Sequence, residues 1–573
     1  MKKRLIKKKI SELKTKPNLE NYEKTYRTFT WEEGKKELEW FNEGKINAAF
    51  NAIDKNAIGF RKNKVALYWE SEEGEKKKFT FQELAILSNR FANFLKELGV
   101  EKGDRVFFFL PRVPELYYGF LGTLKRGAIA GTLFSAFGEQ ALLDRLSNSG
   151  AKVLFTNEKL LKRVKRIRRK LRELETIVTI EELQVKIQNQ KKDYQIAAMQ
   201  PEDDAFMLYT SGTTGKPKGV IHAHRAIIHE HLTAKWVLDL KEDDVYWCTA
   251  DPGWVTGIAY EILGSWSNGA SSLVYEGRFD PEKWYQLIQD YKVNIWYTAP
   301  TAIRMLAAKD GGMVKKYDLS SLRHLASVGE PLNPEAVFWG LKAFGLPFHD
   351  NWWQTETGGI LIANYPCLDI KPGSMGKPIP GVIADIVDDK GNELSVNKIG
   401  NLAIKPGWPS MMKKIWRRPE KYKSYFVKSK QRVEWYISGD LAYKDKDGYF
   451  WFVGRADDVI KTAGERVGPF EVESALVSHP AVAEAGVIGK PDPIRGEIIK
   501  AFVALKPSWE ASEALKEKLK KHVKTYLAGH AYPREIEFVE SLPKTRSGKI
   551  VRRFLKAKEL GLPVGDTSTL EKF

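Results

Sequence analysis

The sequence predicts an α/β chain built from two unequal units. Three observations carry this reading. Apolar stretches of helical and strand period alternate from about residue 80 to about 350; short Gly- and Pro-rich strands replace them between 371 and 455; and a fresh helix–strand–strand–helix run starts after 457. The length of 573 residues agrees, because it exceeds the size at which a single hydrophobic core stops growing.

The first stretch, FTFQELAILSNRFANFLKELGV (79–100), has the spacing of an amphipathic helix. DRVFFFL (104–110) reads as a buried strand, and PELYYGFLGTLKRGAIAGTLF (114–134) as a helix running into another strand. Such alternation calls for mixed or parallel sheets covered by helices. KPGSMGKPIPGVIADIVDD and its neighbours, rich in Gly and Pro, predict a small barrel-like subdomain. Beyond GRADDVI come a helix (FEVESALVSHP), two strands (AEAGVIGKP, IIKAFVAL) and a charged helix (ASEALKEKLKKHVKTYL). The units therefore divide as 1–456 and 457–573.

Composition narrows the class. Apolar residues at 43% and charged residues at 29% describe a globular chain, not a disordered one. Two cysteines, Cys248 and Cys367, are too few for a disulfide framework or a cysteine-rich zinc site and read as packing residues. The basic start, MKKRLIKKKI, has no apolar run of signal-peptide length, and no run of eighteen apolar residues occurs, so a soluble cytoplasmic protein without membrane attachment is expected. Lys and Arg outnumber Asp and Glu by 92 to 73, a formal charge of +19 that nucleic acid, a membrane surface or anionic small substrates could explain. The basic run 159–172 (KLLKRVKRIRRKLR) interleaves Leu, Val and Ile at helical spacing, as a solvated helix face would. No signature of a nucleic-acid-binding module is present, which leaves that class without support.

The most specific segment is YTSGTTGKPKGV (209–220), between the apolar strand AFMLY and a helical stretch starting near His224. Glycines let successive backbone N–H groups face one anion, and the hydroxyls of Thr210, Ser211, Thr213 and Thr214 add donors, so the segment predicts a phosphate cradle. It is not a Walker A loop, since no Gly-Lys-Ser/Thr follows Gly212 at the required spacing. Four histidines between 222 and 231 (IHAHRAIIHEH) invite a metal site, but no HExxH spacing or nearby cysteine supports one, and packing is expected instead.

YTSGTTGKPKGV resembles the signature of the acyl-adenylate-forming superfamily. SVGEP (327–331), NWWQTETGG (351–359), ISGDLAY (437–443), GRADDVIKTAGERVG (454–468) and PKTRSGKIVRR (543–553) follow in the superfamily's order. The resemblance covers nearly the whole chain, and ADPGWVTG with NWWQTETGG brings it nearest to the branch that acts on acetate. It implies a large N-terminal domain of two sheet-and-helix subdomains plus a distorted β-barrel, and a small mobile C-terminal α+β domain. It also implies an ATP-dependent ligation of acetate to coenzyme A through acetyl-AMP, with propionate or another short acid as the alternative substrate.

Site residues follow from the resemblance position by position. Lys549 would bridge the carboxylate and the α-phosphate, and Thr210 and Lys218 would act with it on the leaving pyrophosphate, whose charge needs preorganised donors and cations. Ser211, Gly212, Thr213, Thr214 and Gly215 would cradle phosphate. Gly329, Glu330 and Pro331, with the stretch Asp350, Asn351, Trp352, Trp353, Gln354 and Thr355, would line the adenine; Asn351 stands where relatives often carry Thr. Asp440, an acceptor-only group when ionised, would take the ribose hydroxyls, beside Arg455 and Arg466. Glu356 would hold the Mg²⁺ that accompanies ATP, consistent with that ion's preference for a carboxylate plus phosphates. Val477, His479 and Val482 match a second Mg²⁺ site. Asp457 matches a hinge, Gly464 a close approach of pantetheine, and Lys524 a coenzyme A contact where relatives carry Arg. Val255, Thr256, Val328 and Trp353 would form the acyl pocket. A lysine acetylase or deacetylase acting on Lys549 is an implied partner.

Overall fold

The computed structural model describes residues 5–210, 217–309, 311–462, 465–527, 531–544 and 550–564, with the backbone alone for Glu465 and Arg466. Two seven-stranded sheets form the larger part. In the first, the strands run in the order Lys414–Ile415, Lys218–Ala223, Asp204–Thr210, Ile129–Phe134, Arg105–Leu110, Val153–Thr156 and Thr176–Thr179. Its last five strands are parallel, and the first two are antiparallel additions. The second sheet runs Phe348–His349, His324–Ser327, Ile295–Thr298, Val245–Cys248, Ser271–Tyr275, Val65–Glu70 and Lys76–Thr80, parallel except at its last edge.

The helix expected at 79–100 occupies Phe81–Glu97. It starts two residues late because Phe79 and Thr80 close the strand Lys76–Thr80; the Thr80 side chain then accepts from the Glu83 N–H while Glu83 returns a bond to Thr80. The strand Arg105–Leu110 and the helix Pro114–Arg126 fall where the sequence placed them, and the αL residue Gly127 (φ 77°) ends that helix. Leu84, Phe91 and Leu95 of the first helix join Leu116, Phe120 and Leu124 of the second in the main core, so apolar burial fixes both against the sheet. The basic run begins as the helix Glu158–Ile167, whose Leu160, Val164 and Ile167 are buried and whose cations ride outside.

Between the large sheets and the last unit lies an antiparallel half-barrel of Ala384–Val387, Gly400–Ile404, Glu434–Lys444 and Phe426–Lys428, with Phe450–Arg455 paired to the long strand. Gly376 shows why this region is glycine-rich: its φ is 95°, and a Cβ there would lie 1.9 Å from the Ala363 carbonyl oxygen. A final five-stranded sheet of Glu465–Val467, Ile460–Thr462, Gly496–Leu505, Val482–Asp492 and Glu535–Phe538 packs with the helices Pro469–Val477 and Glu513–Tyr526 around its own core of Val472, Leu476, Val487, Val503 and Leu519. Among the described residues no helix is long and apolar enough to cross a membrane.

Candidate active site

Ligands of open α/β sheets bind beyond the carboxyl ends of parallel strands, and most of the expected site residues fall there. Strand Asp204–Thr210 delivers Thr210; strand His324–Ser327 delivers Val328, Gly329 and Glu330; strand Phe348–His349 delivers Asp350. Thr210 pairs directly with Lys218 across the antiparallel register, while Ser211, Gly212, Thr213, Thr214 and Gly215 lie outside the described residues. The Thr210 hydroxyl is buried and has no partner among the described residues.

A chain of bonds leads away from that pair. Lys218 Nζ donates to the Tyr425 hydroxyl at 2.9 Å, and Tyr425 donates to Glu356 Oε1 at 3.0 Å, with the lysine itself 3.9 Å from that carboxylate. Burial lowers the Lys218 pKa, and the Glu356 charge opposes the shift. Burial raises the Tyr425 phenol, and Glu356 adds to the rise, so the bridge stays protonated. Tyr436 stacks on Tyr425 at 5.6 Å and donates to Gln354 Oε1 at 2.8 Å. Gln354 Nε2 then donates to Asp440 Oδ2 at 3.0 Å and to the Ser438 carbonyl.

Asp440 is the focus of the other half. It accepts from Trp352 Nε1 at 2.9 Å and from Arg455 Nη1 at 3.0 Å, besides Gln354. The hairpin Glu434–Lys444/Phe450–Arg455 places Asp440 and Arg455 opposite each other, and Gly439 turns into this position with φ 74°. Burial works against the Arg455 charge, but Asp440 and Asp457 hold the guanidinium above its ordinary pKa. Asp457 is half-exposed on the turn after the hairpin, with Oδ1 3.7 Å from Arg455 Nε.

The segment expected to line the adenine is built differently. Gly329 adopts φ 95°, and a Cβ there would meet nothing within 4 Å, so the glycine serves the turn and leaves open space beside it. Glu330 accepts from Thr301 Oγ1 at 2.5 Å and from Arg304 Nη2 at 3.1 Å, next to Pro331. Asp350 turns inward, accepting from Ser327 Oγ at 2.7 Å and from the Leu332 N–H at 3.2 Å, and burial pushes its carboxyl up to about 7. Asn351 also turns inward: Oδ1 accepts from the Tyr297 hydroxyl and Nδ2 donates to the Ser327 carbonyl. Asp350 and Asn351 therefore brace the site rather than offer open polar atoms. Thr355 accepts the Gly358 N–H at the turn after Gln354.

The expected acyl pocket is aromatic and apolar. Val255 and Val328 are buried in one core cluster against which Trp353 packs, and Thr256 is buried beside Val255. Trp353 meets the Tyr260 ring edge-on at 5.1 Å and donates from Nε1 to the Tyr297 hydroxyl at 3.3 Å.

Several expected residues stand elsewhere. Gly464 and Lys549 lie outside the described residues, as does the Arg466 side chain, whose backbone pairs with Lys461. Lys524 is exposed in the last turn of its helix, 5.7 Å over the Tyr532 ring. The His479 carbonyl accepts the Val482 N–H just beyond the helix that Val477 ends. The four clustered histidines are buried and packed: His222 stacks on Phe206 and His229 on Trp31, while His231 bonds Ser267 and Glu37 and His224 accepts the Ala48 N–H. Burial lowers the first two, and His224, to about 4.

The sequence reading missed Tyr425, Tyr436, Tyr297, Tyr260 and Arg304. Tyr425 lies in KYKSYF, which carries no motif. The pairing of Phe426 with Tyr436 fixes its backbone, and its hydroxyl reaches Glu356 across 69 residues.

Comparison with known proteins accords with this geometry. Residues 53–416 match the AMP-binding enzyme family and residues 471–549 the AMP-binding enzyme C-terminal domain. The chain is 57% identical over 563 residues to acetyl-coenzyme A synthetase of Bacillus subtilis, covering 97% of this chain and 98% of that protein. It is 45% identical to acetyl-coenzyme A synthetase of Methanothrix thermoacetophila, covering 93% of this chain and 86% of that one. The anthranilate CoA ligase AuaEII, solved with anthranoyl-AMP, superposes with a TM-score of 0.83 at 33% identity, over 90% of this chain and 98% of its own. An acyl-CoA synthetase of Brucella canis superposes with a TM-score of 0.72 at 35% identity, over 95% of this chain and 99% of its own. By these matches the chain belongs to the AMP-binding enzyme family, on the branch of the acetyl-CoA synthetases.

Proposed function

We infer that the protein ligates acetate to coenzyme A with ATP through acetyl-AMP, releasing pyrophosphate and then AMP. The observation that carries this is the joined cluster of Thr210, Lys218, Tyr425, Glu356, Gln354, Asp440 and Arg455 set beside an acyl-sized aromatic wall at Trp353. In the first step an acetate oxygen attacks the α-phosphorus of ATP and the bond to the β-phosphate breaks. In the second the coenzyme A sulfur attacks the acetyl carbonyl, the thiol proton is lost and AMP leaves.

The residues divide this work. Asp440, fixed by three donors, is the acceptor for the ribose hydroxyls, and the open side of Gly329 receives the purine. Lys218 stabilises the departing pyrophosphate, and the Tyr425 bridge holds the ammonium and Glu356 at a fixed separation, so no reorganisation is needed as charge develops. The donor set fits a magnesium ion: Glu356 and the Thr210 hydroxyl, which has no partner among the described residues, would hold it, and it would neutralise phosphate oxygens. Lys549 joins the carboxylate to the α-phosphate, and Asp457 is the hinge between units 1–456 and 457–573. Arg466, Gly464 and Lys524 serve the α-phosphate and coenzyme A, with Val477, His479 and Val482 as a peripheral Mg²⁺ site. Trp353 favours acetate over propionate. A cytoplasmic location belongs to the same reading.

Oxygen-18 from labelled acetate tests the chemistry. An acyl-adenylate route puts one labelled oxygen into each AMP; a direct route to the thioester leaves AMP unlabelled and would overturn the assignment.

A further inference from the structure

The last unit meets the purine segment across a cleft whose walls include Glu330 and Asn333 on one side and Phe470, Glu473, Ile550 and Arg552 on the other. Asn333, buried, bonds to both sides. Its Oδ1 accepts from Arg304 Nη1 at 3.2 Å, and the same guanidinium holds Glu330 at 3.1 Å. Its Nδ2 donates to Ser474 Oγ at 2.7 Å, reaching the helix Pro469–Val477.

The neighbour of Ser474 on that helix is Glu473, and it grips Arg552. Arg552 Nε donates to Glu473 Oε1 at 2.7 Å, a second nitrogen bonds the other oxygen, and the Val487 N–H adds a third bond. Arg552 lies three residues past Lys549. On the other side of Lys549, Lys544 Nζ bonds Glu484 at 2.6 Å, while Lys544 bridges Ile550 and the Val551 N–H bonds the Pro543 carbonyl. The described residues on either side of 545–549 are thus anchored to one body, and the Asn333 side chain ties that body to the purine segment.

We propose that Asn333, with Ser474 and Arg304, is a positioning residue that holds the last unit against the purine segment for adenylation. This rests on the assignment of Lys549 to the first half-reaction. A two-pronged asparagine suits the task, because its acceptor and donor face different bodies and neither can swing without breaking a buried bond. The bond carries no part of the second half-reaction, in which the acyl-adenylate already exists.

The test separates the half-reactions in the full-length enzyme. Acetate-dependent ATP–pyrophosphate exchange in the wild type checks the underlying activity; its absence sinks that assignment and the proposal with it. Given exchange, Ser474→Ala and Asn333→Ala should each slow it roughly tenfold through kcat, as loss of one buried bond that fixes a reacting group would. Thioester formation from supplied acetyl-AMP should stay within roughly twofold of wild type, since no bond it needs is lost. Ser474→Ala added to Asn333→Ala should cost nothing more, because the two remove the same bond. Ser474→Ala with wild-type exchange, equal losses in both half-reactions, or multiplying losses in the double variant would each overturn the proposal.

Discussion

Replacing Trp353 by glycine should turn an acetate enzyme toward longer acids, and the size of the change can be worked from its surroundings. Going from acetate to butyrate adds two methylenes, each contributing about 0.8 kcal/mol when buried, or about 15-fold in binding if room exists. For the wild type to reject butyrate, the wall must impose more than that gain. An indole held edge-on by Tyr260 and bonded to Tyr297 can do so, since overpacking a rigid site costs about 1–3 kcal/mol. Removing the ring restores the gain and cancels the penalty together, so butyrate should improve relative to acetate by roughly a hundredfold or more in kcat/KM. Acetate itself should lose efficiency in the enlarged pocket. The fold should survive: the Tyr297 hydroxyl keeps Asn351, and the Tyr260 hydroxyl keeps the Ile360 N–H at 2.7 Å. Because the ring is only partly buried, the stability cost should fall below the ~3–5 kcal/mol of a fully buried aromatic truncation. The assay is kcat/KM for acetate, propionate, butyrate and hexanoate in both proteins. An unchanged rank order would remove Trp353 as the gate.

Other perturbations probe separate parts of the site. Lys549→Ala, or acetylation of Lys549, should abolish pyrophosphate exchange while supplied acetyl-AMP still yields thioester; normal exchange in either form would contradict the role. Tyr425→Phe removes the hydroxyl between Lys218 and Glu356 and should cut exchange roughly tenfold while the protein stays folded; exchange equal to wild type would make the bridge incidental. Burial raises Asp350 to about 7, above the ordinary carboxylate value of about 3.9, so between those pH values the folded chain holds a proton that the unfolded chain lacks. Its contribution to stability therefore falls as pH rises through that window, and Asp350→Asn should flatten the slope of the thermal midpoint from about pH 4 to about pH 7; an unchanged slope would refute this.

What could be read from the sequence was what local pattern encodes. Helix Phe81–Glu97 shows in the amphipathic spacing of 79–100, and the basic helix in the interleaved Leu, Val and Ile of 159–172. The adenylating motifs pointed to Thr210, Lys218, Glu356, Asp440 and Arg455, which the fold joins by hydrogen bonds or strand pairing. Tyr425 and Asn333 carry no local signal, because their roles come from contacts across 207 and 141 residues. Likewise nothing in DNWWQTETGG shows that Asp350 and Asn351 face inward; that follows from Tyr297 and Ser327 on neighbouring strands.

The central claim, that acetate is activated as an adenylate before coenzyme A takes part, is tested most directly by ATP–pyrophosphate exchange with wild-type enzyme and no coenzyme A. The account predicts rapid exchange with acetate, slower exchange with propionate and almost none with butyrate. Exchange that needs coenzyme A, or that runs equally well with butyrate, would contradict it.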